Sequence, residues 1–157
     1  VARLADYALD TSRLNIHQLR EAVVRWITGE GKPSVVTLLS FGYRYGVPPA
    51  GELLFDVRFL PNPHFEPALR PRTGLDEDVA AYVLEHPRTV ELLAHLGAFL
   101  DYVLARYDAE GKAYLTIGIG CTGGRHRSVA VAEAVARRLR AAGREVNVQH
   151  RDLEKES

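Results

Sequence analysis

Apolar residues recur along this chain in two rhythms that take turns. Between 11 and 29, Ile16, Leu19, Val23 and Ile27 fall on one face at helical spacing, with Thr11, Ser12 or Asn15 placed to cap the start. Gly29 to Pro33 stops that run. Ser34 to Ser40 is then apolar or β-branched at nearly every position, the pattern of a strand covered on both faces. A loop rich in glycine and tyrosine comes next (Phe41 to Gly46), and Leu53 to Val57 reads as a second short strand.

From Arg58 to Thr73 the rhythm breaks. Pro61, Pro63, Pro67 and Pro71 forbid a helix or a central strand, so the segment is expected to be an ordered loop or a lid. Thr73-x-x-Asp76 opens a helical stretch to about Glu85. Pro87 begins a longer helix whose stripe is Leu93, Leu96, Leu100, Leu104 and Tyr107. Ala113 to Ile119 is a further buried strand. Arg127 to Ala142 is a helix with Val131, Val135 and Leu139 inward, closed by Gly143 at its C′ position, and Glu145 to Gln149 is a last strand. Strands alternating with helices imply an α/β fold, a mainly parallel sheet flanked by helices in a single domain.

Composition narrows the class without naming a function. The 157 residues suffice for one core, 46% hydrophobic and 25% charged. Twenty basic residues balance twenty acidic ones, so no overall field points to nucleic acid or membrane. The single cysteine, Cys121, excludes an internal disulfide framework and a multi-cysteine zinc site. The six histidines show no metal-ligand spacing, and no metal is expected. Without a signal-like segment or a long apolar run, the expected address is cytoplasmic. The chain opens on Val1 and has no Met, which fits a piece of a longer protein.

The chemistry concentrates in Gly120-Cys121-Thr122-Gly123-Gly124-Arg125-His126-Arg127-Ser128, set between a strand and a helix. The first N–H groups of a helix lack internal partners and carry the positive end of its dipole, so an anion satisfies both. Gly123 and Gly124 permit close approach, Thr122 and Ser128 offer hydroxyls, and Arg127 can grip phosphate oxygens. The plainer alternative is a tight turn with Ser128 as a cap.

Three named motifs overlap these patterns. Gly118 to Gly123 satisfies GxGxxG, but only one strand comes after it where a dinucleotide fold needs several. Gly29-Glu30-Gly31-Lys32 fails as a nucleotide P-loop, because Trp26 stands in place of the first glycine and Pro33 comes directly after the lysine. Cys121 through Arg127 satisfies Cys-x5-Arg, the loop of cysteine-dependent phosphatases, in which Asp56 or Asp76 would be the general acid.

Ser40 to Gly46, Phe55 to His64 and the Gly120–Ser128 loop together resemble the RNase adapter protein family, RapZ, with Thr73-Gly74-Leu75-Asp76 between them. The resemblance assigns residues 34–157 to that family's C-terminal domain. Residues 1–33 would be a helical linker from the end of an N-terminal nucleotide-binding domain, the part that would take ATP or GTP. It implies a sensor without catalytic residues that binds glucosamine 6-phosphate or a similar phosphorylated amino sugar. Homo-oligomerisation, and in some members small RNAs presented to an endoribonuclease, are also implied. Carried over by motif, the phosphate falls to Thr122, Gly123, Gly124, Arg127 and Ser128, with Cys121 and His126 in the same loop. Asp56, Arg58 and His64 would face the sugar. Asp56 serves equally as a cap or as the ion-pair partner of Arg58, and His64 equally as a buried structural hydrogen bond. The tail from Arg151 to Ser157 carries three acids against two bases, which weakens the case for RNA. Arg137, Arg138, Arg140 and Arg144 remain as a modest basic patch or a solvated helix face.

Overall fold

A computed structural model describes residues 32–155. The helix expected over 11–29, with most of the expected linker, lies outside the described residues. Four strands form one sheet: β1 (Val35–Gly42), β2 (Leu53–Asp56), β3 (Tyr114–Cys121) and β4 (Val146–His150). Their order is β2-β3-β1-β4 and every pairing is parallel. Among the described residues, three α-helices accompany them: α1 (Glu77–Leu84), α2 (Pro87–Ala109) and α3 (Arg127–Ala141).

The two central strands run further than their apolar cores suggest. β1 continues through Phe41 and Gly42, and β3 through Gly120 and Cys121, so that Gly42 lies opposite Cys121. Phe41 is fully buried and its ring lies where a side chain on Gly120 would otherwise stand, so aromatic packing extends the pairing past the aliphatic run.

One core joins the helices to the sheet, with Val36, Leu38, Leu115, Ile117 and Ile119 from the strands meeting Leu96, Leu100 and Leu104 of α2 and Val131, Val135 and Leu139 of α3. α2 starts at Pro87, which lacks an N–H the helix does not need there, and His86 caps it by accepting from Arg88 N through Nδ1 at 3.1 Å. Beyond the end of α3, Gly143 takes φ 88°, and Gly143 N donates to Arg140 O and Arg144 N to Leu139 O, closing the helix's last carbonyls. α1 begins one residue beyond Asp76, whose carboxylate turns back to accept from Thr73 N at 2.8 Å.

The proline-rich segment is an ordered strap, tied at one end to the last residues of β3 and at the other to the glycine-rich loop. Val57 N donates to Gly120 O, and Gly74 N donates to Arg125 O. Between them Asn62 Oδ1 accepts from His64 N at 3.1 Å, capping a 3-10 turn at Pro63–Phe65.

Candidate functional site

The glycine-rich loop leaves the sheet where β1 and β3 end side by side, the place at which parallel sheets characteristically hold ligands. Tight packing dictates its course. A side chain on Gly42 would come within 2.4 Å of Gly123 C, and one on Gly124, at φ 80°, within 2.5 Å of Gly42 N. Thr122 O accepts from Arg44 N and Arg125 O accepts from Gly74 N. In a trans peptide the next N–H points opposite to the carbonyl, so the amides of Gly123 and His126 are turned away from those flanking loops. Among the described residues, the N–H groups of Arg125, His126, Arg127, Ser128 and Val129 make no hydrogen bond.

Arg127, the first residue of α3, is 4% exposed. Its Nη1 donates to the carbonyls of Arg58 and Leu60, and its Nη2 to Thr122 Oγ1 at 3.3 Å. Its buried Nε has no partner among the described residues. Burial pulls the guanidinium below its ordinary pKa, partly offset by Cys121 and Asp56, yet an arginine remains charged.

Cys121 and Ser128 face one another beneath the loop. Their Sγ and Oγ lie 3.1 Å apart, and Gly124 N donates to Sγ at 3.3 Å. Ser128 is fully buried, and its Oγ accepts from Cys121 Sγ. His126 is also buried, and burial lowers its pKa. The neutral ring pairs through Nε2 with Arg70 O at 3.1 Å, fastening the strap and adding no charge to the loop.

The cleft above the loop is lined by Arg44, Arg125 and Arg127, by His64 and His126, by Asn62 and by Cys121 to Gly124. Among the described residues, no carboxylate lines it. Of the residues expected on the sugar side, His64 is in the cleft wall, whereas Asp56 and Arg58 are not. These two pair with one another, with Arg58 Nη2 2.6 Å from Asp56 Oδ2 and the guanidinium 4.0 Å above the Tyr43 ring. Hydrogen bonds from Arg58 hold the Asp56 carboxyl below the usual range despite some burial, so it is ionised and engaged. Asp76 accepts from Thr73 N, with Arg72 3.5 Å away. Arg44 and Asn62 were missed by sequence reasoning, whereas Arg125, expected to add charge or donors near the loop, is in the wall. The first two sit inside the blocks that carry the family resemblance, and that was their only signal.

A family model described as the RapZ C-terminal domain matches residues 34–154. The chain belongs to the RapZ C-terminal domain family. Proteins named "Nucleotide-binding protein" from Geobacter metallireducens and Trichlorobacter lovleyi are 53% and 54% identical to it over 98% and 96% of the chain. Another so named, from Brevibacillus brevis, is 50% identical over 96% of the chain. The chain covers 54%, 54% and 51% of these three proteins, about half the length of each. The match to the RapZ C-terminal domain spans the strap, the loop and α1 to α3, so the described residues that line the cleft lie within it. Among the described residues, no helix is long and apolar enough to cross a membrane, and no group of three or more His, Cys, Asp or Glu could hold a metal.

Proposed function

We propose that this domain binds the phosphate of a small phosphorylated ligand, an amino-sugar phosphate of the glucosamine 6-phosphate kind, and holds it without turnover. The observation that carries the reading is the donor set at the start of α3, five amides and Arg127 Nε, unsatisfied among the described residues and beside a cleft that these residues wall with three arginines and no carboxylate. A dianion there satisfies donors that otherwise lack partners. Gly123 supports the reading independently. A side chain built on it meets nothing within 4 Å and its φ is not positive, so the fold alone does not require glycine there. A ligand resting on the backbone would. The choice of an amino sugar rests on the family resemblance. A thermal-shift screen of sugar phosphates tests it: a selective rise in melting temperature is expected with one phosphorylated sugar and none with its unphosphorylated parent.

Cysteine phosphatase chemistry is the second reading, favoured by the amide of Gly124 and the hydroxyl of Ser128 gathered around Cys121 Sγ. Against it, Cys121 is 2% exposed, and neither candidate acid is in the cleft wall: Asp56 is held ionised by Arg58, and Asp76 accepts from Thr73 N beside Arg72. A phosphatase assay on wild type and Cys121→Ser separates the two, since cysteine-dependent turnover would overthrow the sensor. An RNA or protein adapter role, with homo-oligomers, is the family's implication. The expected basic patch gives it little support, because Arg138 pairs with Asp101, Arg144 with Asp108, and Arg140 donates to Val146 O. RNA binding, if it occurs, should weaken steeply with salt, and none at physiological salt would remove it. The nucleotide binding in the relatives' name we assign to the part of those proteins this chain does not cover.

A further inference from the structure

The anion loop is braced by the strap, by the loop after β1 and by the turn at 151–155. The last brace centres on one carboxylate. Asp152 is 0% exposed, and its Oδ2 accepts from Gly42 N at 2.7 Å. Arg151 Nη2 and Lys155 Nζ lie 2.8 and 2.9 Å from its oxygens. Arg151 also reaches Gly46 O at 2.7 Å, and its own N–H donates to Ser40 O at the end region of β1. Gly42 is the residue against which Gly123 and Gly124 pack, and a side chain on Gly124 would come 3.0 Å from Asp152 Cβ. A second link joins turn and cleft directly, as Arg125 Nε donates to Leu153 O at 3.1 Å while Arg125 lines the cleft.

Resting on the anion-binding reading above, we propose that Asp152 is a positioning residue of the cleft. It holds the C-terminal turn against Gly42 and Gly124, so that occupancy of the cleft and order in residues 151–155 rise and fall together. Asp152 does not line the cleft, so it acts through the glycines and Arg125. Burial favours its neutral form, but the bonds from Arg151, Gly42 N and Lys155 outweigh burial and keep it ionised. Geometry and electrostatics therefore make opposite forecasts. Neutralising Asp152 leaves two uncompensated cations behind the loop, which would tighten an anion if field alone mattered; losing the brace loosens it.

The test is a calorimetric titration of the 157-residue chain with inorganic phosphate and with glucosamine 6-phosphate, for wild type and Asp152→Asn. Arg144→Ala serves as a control, since it breaks the 2.8 Å pair with Asp108 by Ser34, at the opposite end of β1. Asp152→Asn should weaken both compounds by roughly tenfold, the scale of a hydrogen bond to a charged group. The control should lower the melting temperature and leave affinity within about twofold, as distant sites act independently. Amide hydrogen exchange in 151–155 should slow when wild type is saturated with phosphate. Equal or tighter binding by Asp152→Asn, or exchange unmoved by phosphate, overturns the proposal and leaves the anion site standing. Failure of wild type to bind either compound defeats both.

Discussion

Gly42, Gly123 and Gly124 stand close together and do different work. Gly124 needs its φ of 80° and Gly42 needs the absence of a side chain, whereas nothing in the fold crowds Gly123. Gly124→Ala is expected to cost about 1–3 kcal/mol of stability through backbone strain and contact. Gly123→Ala should stay within about 0.5 kcal/mol of wild type, as surface changes do, yet weaken phosphate binding. Melting curves paired with titrations check both, and undiminished affinity in Gly123→Ala would remove the ligand from its face. Arg127→Ala should lose about 2–4 kcal/mol of ligand affinity. It should also destabilise the strap, because the same guanidinium holds the carbonyls of Arg58 and Leu60. The sequence marked the glycine-rich loop as a candidate anion site. It could not separate the glycines, since that depends on Gly42 far upstream, and it left Asp56 and Arg58 open between ligand contact and ion pair. The ion pair is what the structure contains.

Elements that announce themselves by local periodicity were legible. The stripe of α2 comes out as read, with Leu96, Leu100 and Leu104 buried and Leu93 and Tyr107 packed at the core's margin. Leu100→Ala should cost about 2–5 kcal/mol by transfer and cavity terms and leave phosphate affinity unchanged, a pairing that denaturation and calorimetry can check. The strap was legible only as something neither helix nor central strand. Its course depends on hydrogen bonds that Arg127 and His126 make to its carbonyls and one that Asn62 Oδ1 accepts from His64 N, contacts between residues remote or irregular in the chain. Strand ends were misplaced for a related reason, because Phe41, Gly42, Gly120 and Cys121 continue their strands through pairing and ring packing.

At the scale of the whole molecule, a parallel sheet was implied by the alternation of elements, but the order β2-β3-β1-β4 was not, since parallel partners are remote in the chain. That order makes β1 and β3 neighbours and so brings Arg44 and Asn62 to a loop they are distant from in sequence. It also buries titratable groups. Burial holds His126 below the ordinary histidine value of 6.5, and holds His150 there too against the opposing pull of Glu133. A depressed folded pKa means that the unfolded chain binds the proton better, so stability is full above about 6.5 and drains as pH falls through the folded values. Asp108 and Asp152, kept below 3.8 by their arginine partners and backbone donors against burial, add a second, more acidic stage. Denaturation midpoints tracked across pH should show two declines, and His150→Asn should shrink the first; a flat profile between pH 7 and 5 would rule out that stage. The most direct test of the site is a calorimetric titration with glucosamine 6-phosphate, inorganic phosphate and unphosphorylated glucosamine. Saturable binding of the two phosphorylated compounds, absent for glucosamine and lost in Arg127→Ala, is expected. Glucosamine bound as tightly as its phosphate, or wild-type affinity in Arg127→Ala, would contradict it.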